Sequence, residues 1–356
     1  MKRIVFNGCW AGKNVVGVSR YAYNILRELD KLLDNSKDKY CVNLLVPANA
    51  NEHELCFKNI VVVKKGQYTG PVSRIIWEQI IFPIYVKKTK GIGVDLTLSI
   101  PVRGVKYIAI HDCIYESFPE NYKGHEIHRA FYIWRVKKVT AQENVQIITV
   151  SNESRKEIVK YYGVAPNRIT VIGNGWEHMK EIHPDESVFE KCMIDIGKPY
   201  FFALGSKYRH KNLAWIITAA QTNPEYTFVL TGNDSFSNES EELQKNSPDN
   251  VIFTGFVSDE EMKALMLHCL ALIQPSLHEG FGIPPLEALS LGKKIIVSKA
   301  SCLPEIYEDS AIYIDPNKSD VDMDALMQEH TGDARSVLEK HSWKKSAYEM
   351  LKLIGS

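Results

Sequence analysis

The sequence predicts an α/β protein of two domains, each a parallel sheet with helices on both faces. Strand-like and helix-like runs alternate from end to end, and that alternation builds parallel sheets. The chain has 356 residues, which makes two domains the natural expectation. The break between the two series of strands falls at Asn174-Gly175 and the polar stretch 177–187, where the linker is placed.

In the first half, strands are expected near 3–7, 40–46, 59–64, 95–99, 106–111 and 146–150. A helix follows the first strand, with Tyr21, Ile25, Leu29 and Leu32 on one face at spacings of three and four. A second begins at Ser151, a good N-cap, and ends at Gly163. In the second half, strands are expected at 200–204, 226–231, 251–254, 270–274, 294–298 and 311–314. Ser258-Asp259-Glu260-Glu261 reads as a capping box opening a helix through Met262, Leu265 and Met266. Residues 342–354 are helical in pattern.

Bulk composition removes several classes of function. Lysine plus arginine equals aspartate plus glutamate, 43 against 43, so no global basic field exists to attract nucleic acid. The 45% hydrophobic and 24% charged content is that of an ordinary globular protein. The seven cysteines are scattered, without a Cys-x-x-Cys pair, which argues against a disulfide framework or zinc site and fits a reducing compartment. Lys2-Arg3 leads into Ile4-Val5-Phe6, a run too short for a signal peptide, which reads as the first strand. No apolar stretch approaches the roughly 20 residues of a membrane span.

The segment carrying most chemistry is Glu279-Gly280-Phe281-Gly282-Ile283-Pro284-Pro285-Leu286-Glu287. Two glycines free the backbone, and two prolines sit where a helix begins, a position proline favours. Glu287 is expected in the first helical turn. Backbone N–H groups of the loop and the new helix would converge at the positive end of the helix dipole, which suits phosphate. The two carboxylates suit hydroxyl groups, and a sugar nucleotide offers both. Gly205-Ser206-Lys207-Tyr208-Arg209-His210-Lys211-Asn212 places several cations in a short loop at a strand end, where a diphosphate would be neutralised. Gly12 and Gly17 flank the loop after the first strand and would let backbone approach a ligand. His111-Asp112 closes the strand Tyr107-Ile108-Ala109-Ile110.

The segment from Glu279 to Glu287 resembles the signature of the family 4 glycosyltransferases, two glutamates separated by seven residues. Gly17-Val18-Ser19-Arg20-Tyr21, His111-Asp112, Val150-Ser151, Asn174-Gly175, the loop 205–212, Leu303-Pro304-Glu305 and Asp315-Pro316 are similar to further family motifs, in family order. The resemblance implies the GT-B architecture, two facing Rossmann-like domains with a cleft between them. Residues 1–173 would bind the acceptor and 174–340 the nucleotide-sugar donor, and 341–356 would form a helix returning to the first domain.

The resemblance also implies site roles. Glu287 would bind the ribose hydroxyls. Glu279 would bind hydroxyls of the donor sugar, with backbone N–H groups of Gly280, Phe281, Gly282 and Ile283 beside it. Lys211, paired with Arg209 or Lys207, would hold the diphosphate behind Gly205. Gly12 and Gly17 would meet the diphosphate or the acceptor, and Gly255 and Phe256 would lie near the base. His111 and Asp112 would lie near the transferred sugar. The implied activity retains anomeric configuration by front-face attack, in which the departing phosphate removes the acceptor's proton. No cofactor is implied beyond a UDP- or GDP-linked sugar as co-substrate. A saccharide or glycolipid acceptor of bacterial surface polysaccharide assembly is implied, in the cytoplasm or at the inner membrane face.

Two segments invite competing readings. Asp320-Val321-Asp322-Met323-Asp324 looks like a metal motif, but helix capping explains it better, and no metal requirement is expected. The apolar segment 74–90 ends in Lys87-Lys88 and reads either as a helix packed on the first sheet and broken at Pro83, or as a basic amphipathic helix on a membrane surface. Two other functions fit the motifs less directly. A sugar-nucleotide epimerase on the same fold would need no acceptor, and a non-catalytic nucleotide-sugar or glycan-binding protein would need no turnover.

Overall fold

The computed structural model describes residues 1–11, 17–34, 36, 39–50, 55–67, 69–205, 208–232 and 244–355. The chain divides into two compact units, Met1–Asn174 with Trp343–Ser356, and Gly175–Ser342.

Unit 1 holds β1 (Lys2–Asn7), β2 (Tyr40–Val46), β3 (Ile60–Lys64), β4 (Ile92–Asp95), β5 (Tyr107–Ala109), β6 (Gln146–Thr149) and β7 (Ile169–Val171). They form one parallel sheet in the order β3-β2-β1-β4-β5-β6-β7. Unit 2 holds β8 (Tyr200–Leu204), β9 (Thr227–Thr231), β10 (Val251–Gly255), β11 (Ala271–Gln274), β12 (Lys294–Ser298) and β13 (Ile312–Ile314). Its parallel order is β10-β9-β8-β11-β12-β13. Central strands such as Ala271–Gln274 are buried at every position, because helices cover both faces. In each sheet the order reverses beside its first strand, between β1 and β4 and between β8 and β11. Open parallel sheets bind ligands at the carboxyl ends of strands at such a point.

Local signals act as the sequence predicts at several ends. Ser151 accepts from Ser154 N–H ahead of the helix Asn152–Tyr162, which stops at left-handed Gly163. Ser258 and Glu261 form the reciprocal capping box of the helix Asp259–His268. In the helix Val18–Leu33, Tyr21, Ile25 and Leu29 are buried, but the fourth core position is Leu33 rather than Leu32.

Three expectations need correction. The strand expected at 95–99 ends at Asp95 and begins at Ile92. The buried Asp95 carboxylate accepts from Ser99 Oγ at 2.7 Å, from Ile100 N–H at 3.1 Å, and from the N–H and hydroxyl of Thr97 at 3.2 Å each. Those bonds curl the chain out of the ladder. Second, the structure adds β7 and the helix Glu126–Thr140 to the expected elements, and β7 is too short to display a period. Third, Pro83 does not break the segment around it. The helix Pro71–Ile76 runs through a π turn, Trp77–Ile81, into the helix Phe82–Thr89, whose first turn holds Pro83. There the missing N–H costs little, and the wide turn absorbs the lost bond.

The π turn aims Glu78 inward. Its carboxylate accepts from Arg74 Nε at 2.6 Å and from an Arg135 guanidinium nitrogen at 3.1 Å, and that nitrogen also donates to Ser99 O at 2.7 Å. Burial pushes the Glu78 carboxyl up against the pull of both arginines. The segment's sheet-facing residues Trp77, Phe82 and Val86 are buried, whereas Val72, Ile75, Ile76, Ile80 and Ile84 are exposed. Among the described residues no helix is long and apolar enough to cross a membrane.

The helix Trp343–Gly355 packs on the helix Val18–Leu33 in unit 1, burying Trp343, Ala347, Met350 and Ile354. Trp343 meets the Tyr21 ring edge-on, and Ser346 Oγ donates to Gly173 O at 2.7 Å. Trp343→Ala is expected to cost about 3–5 kcal/mol in urea unfolding, against less than about 0.5 kcal/mol for Tyr348→Ala on the exposed side of the same helix.

Candidate active site

Gly205, Lys211 and Glu279 lie on the loops after β8 and β11, the strands that flank the switch point of the unit 2 sheet. After β8, Gly205 donates its N–H to Thr231 O at 2.7 Å. The loop then forms a 3-10 turn, Arg209–Lys211, and Asn212 adopts a left-handed conformation with φ 58°. Asparagine tolerates that region, and it caps the helix Leu213–Thr222. Asn212 Nδ2 donates to Pro275 O at 3.0 Å and to Pro316 O at 2.8 Å. One amide thereby ties together the loops after β8, β11 and β13.

After β11 the chain turns through Ser276 to Glu279. Glu279 Oε1 accepts from Lys211 Nζ at 2.7 Å, Ser276 Oγ at 2.7 Å and Gln274 Nε2 at 2.9 Å. The Lys211 side chain is 31% exposed and that of Glu279 only 8%. Burial raises the Glu279 carboxyl, but Lys211, His210 and the hydrogen bonds outweigh it and hold it below its ordinary value. Burial and Lys211 push the buried His210 imidazole down to about 4, so it is neutral near pH 7.

Gly282 sits at φ 80°, and a Cβ there would lie 2.8 Å from Leu303 Cδ2 and 2.9 Å from Gln274 Nε2. Only glycine meets both demands. Its carbonyl accepts from the Tyr307 hydroxyl. The helix then runs Ile283–Ser290, so Ile283 is its first residue and Pro284 its second. Glu287 is consequently not in the first turn, as the sequence predicts, but in the second. It is buried and paired with His178, Nε2 to Oε1 2.8 Å. Phe281 is buried against the edge of the His341 ring. Gly255 O accepts from Gly232 N–H at 3.0 Å, and Phe256 is exposed. Arg209 is exposed as well.

Gly17, His111 and Asp112 belong to unit 1. Gly17, at φ 49°, precedes the helix Val18–Leu33, and its carbonyl accepts from Tyr21 N–H. The Tyr21 ring stands edge-on to buried His111 at 4.7 Å. His111 Nε2 lies 2.9 Å from Leu96 O, so that nitrogen carries the proton. Burial pushes the imidazole's pKa down, which leaves Nδ1 as an acceptor near pH 7. Asp112 caps the N–H of Ile114 at 3.2 Å. Gly12 and Lys207 lie outside the described residues, and so does Ser206.

His178, Gln274, Ser276 and Tyr307 escaped the sequence reading. Gln274 and Ser276 lie just before Glu279, and their polarity at a strand end was the one available signal. Nothing local marks His178 or Tyr307. No group of three or more metal-binding side chains occurs among the described residues. In the acidic run, Asp322 caps the helix Met323–Gln328 and Asp324 accepts from the Tyr226 hydroxyl.

Residues 185–349 match the family model described as glycosyl transferases group 1. The site from Gly205 to Glu287 falls within that match. The chain is 26% identical over 223 residues to the O-antigen chain mannosyltransferase RfbU of Salmonella typhimurium, covering 62% of this chain and 59% of the relative. It thus spans about three fifths of that relative's length. Among solved structures, sucrose-phosphate synthase from Thermosynechococcus elongatus superposes with a TM-score of 0.72 at 14% identity, covering 99% of this chain and 98% of the other. Anabaena HepE in complex with UDP and glucose does so with a TM-score of 0.71 at 16% identity, covering 99% of each. The fold is therefore the GT-B fold of these glycosyltransferases.

Stability from the Glu279 carboxylate is present above its ordinary value of 4.5 and is lost as pH falls through its depressed folded value. Lys211→Met is expected to lower stability at pH 7 by about 1–3 kcal/mol, between surface and buried ion pairs. The gap from wild type should narrow below pH 4.5 in denaturant titrations.

Proposed function

We propose that the chain is a retaining, metal-independent glycosyltransferase of family 4. It moves a hexose from a UDP- or GDP-linked donor to a saccharide or lipid-linked saccharide acceptor, in surface polysaccharide assembly. The observation that carries this reading is the Lys211–Glu279 pair at the switch point, followed at once by the Gly280–Gly282 turn and the Glu287 helix. The match to the glycosyltransferase group 1 model over the same residues supports it, as do the names of RfbU and the UDP complex of HepE.

In this reading unit 2 binds the donor. Lys211 and Arg209 face the diphosphate, whose charge grows as the glycosidic bond breaks, and fixed cations there lower the barrier. Glu279 orients the Lys211 ammonium and accepts from sugar hydroxyls. The backbone of 280–283 cradles phosphate oxygens, and Glu287 takes the ribose hydroxyls. An oxygen of the departing diphosphate removes the proton of the attacking hydroxyl, on the face the leaving group vacates, so configuration is retained. No side chain need become a nucleophile, and the positive charge comes from Lys211 and Arg209. Unit 1 binds the acceptor, where neutral His111 Nδ1 can accept from a sugar hydroxyl and Asp112 borders it.

Glu287→Ala should abolish calorimetric binding of whichever of UDP, GDP, ADP and dTDP the wild type binds. Lys211→Ala should lower kcat about 10²–10³-fold with or without chelator. Unchanged kinetics in both variants would remove the site assignment, and product formed from donor alone would replace transfer by epimerisation.

The acceptor chemistry extends to the surface of unit 1. Val72, Ile76, Ile80 and Ile84 form an exposed apolar stripe, and the helix Glu126–Thr140, tied to the same segment through Arg135 and Glu78, exposes Ile127 and Trp134. Exposed Lys87, Lys88, Lys137 and Lys138 lie at the ends of the two helices. We propose that this face rests on an anionic bilayer. The protein should float with vesicles of anionic lipid and not with neutral ones, and Ile76→Ser/Ile80→Ser/Ile84→Ser should remove flotation. Equal flotation by the triple variant would place the contact elsewhere.

A further inference from the structure

The donor-site reading assigns Glu287 to the ribose and leaves its partner unexplained. His178 Nε2 lies 2.8 Å from Glu287 Oε1, with the side chains 7% and 3% exposed. The two residues are 109 positions apart, so the pairing is made by the fold and not by local sequence.

His178 is not carried by a helix or a strand of the sheet. It sits in the 3-10 turn Glu177–Lys180, directly after the chain enters unit 2 at Gly175. That turn is fixed from several sides without help from Glu287. Lys263 Nζ donates to Met179 O and Ile182 O, at 2.7 Å each. Trp176 Nε1 donates to Leu338 O at 3.0 Å, and Ser342 Oγ donates to Glu177 at 2.5 Å. Lys180 covers the Trp176 ring at 4.5 Å. Glu287 is anchored by its own helix, where Ser290 Oγ donates to the Glu287 carbonyl at 2.6 Å. Two independently held elements thus present a donor and an acceptor to each other at hydrogen-bond distance.

We infer that His178 is the positioning residue of the donor site, selecting ribose over deoxyribose by fixing the Glu287 carboxylate. The inference rests on the proposed role of Glu287. A glutamate has three rotatable bonds, and a carboxylate that must meet two vicinal hydroxyls gains affinity when its rotamer is set beforehand. Carboxylate oxygens each carry two acceptor positions, so Oε1 can hold the imidazole and still accept from a hydroxyl. A buried carboxylate also needs a donor when no nucleotide is present, and His178 supplies it. His178 touches no part of the reacting bond, so its effect appears in donor recognition.

The test is calorimetric binding of UDP and GDP, and of their 2′-deoxy and 3′-deoxy forms, to four proteins: wild type, Glu287→Ala, His178→Leu and His178→Gln. Leucine keeps the volume without a donor, and glutamine restores a donor near the Nε2 position. Circular dichroism melting checks each fold. The wild type should prefer the ribonucleotide about 10–100-fold, the worth of a hydrogen bond to a charged group. His178→Leu should lose most of that preference while binding the deoxy forms within about twofold of wild type. His178→Gln should recover part of it.

A wild-type preference kept in His178→Leu, or equal losses for ribo and deoxy forms, overturns this inference while leaving the donor site intact. If His178→Leu does not fold, a His178→Gln protein that folds but binds ribo and deoxy forms alike overturns it too. Wild-type binding that does not depend on Glu287 overturns the donor-site reading and this inference together.

Discussion

The second unit is organised by one buried carboxylate. Glu279 gathers an ammonium from the loop after β8, a hydroxyl from the loop after β11 and an amide from the end of β11 onto a single oxygen. An ionised carboxylate removed from water needs such company, because an unpaired one would neutralise or unfold its surroundings. The loop after β8 therefore cannot take its place without the loop after β11. Asn212 repeats the constraint through backbone carbonyls of two loops. Ser301 adds a third tie, donating to Glu279 O at 2.8 Å. A cationic loop that would otherwise wander in solvent is thereby held at the sheet's edge.

Unit 1 meets the same problem with a different solution. Its switch point is lined by the turn that Asp95 closes, and burial raises that carboxyl to about 7. Ser99 joins Asp95 to Asn7, and its carbonyl joins the turn to Arg135, which reaches Glu78. The π turn Trp77–Ile81 carries Glu78 to that place. Irregular helix and buried charge thus occur together, at the carboxyl end of the sheet where ligands are expected.

What could be read from the chain divides along sequence distance. Alternation of strand and helix is local and repeated, so the fold class and most strand positions were plain. Ser151, Ser258 and Gly163 act within a few residues and were legible for that reason. Leu96 and Leu98 alternate with polar neighbours as a strand would, while the acceptor that ends the ladder is the single residue Asp95. Glu279 and Glu287 stood out because glycine and proline frame them in one segment. Their pairings did not, since Lys211 lies 68 residues from Glu279 and His178 lies 109 from Glu287. The basic loop advertised its charge, but not which of its cations would meet a carboxylate.

The helix Trp343–Gly355 belongs to the same unit as residues 1–174, although the chain reaches it only after unit 2. Synthesis therefore delivers the whole of unit 2 before unit 1 has its final helix. Until then the helix Val18–Leu33 lacks the helix that packs on it, and Tyr21 lacks the Trp343 ring. Domains usually fold in the order they leave the ribosome. Here the first half must wait with an apolar groove open, and the second half can reach its native state ahead of it. A stalled or truncated translation product would hence be a sound second unit joined to an unfinished first one.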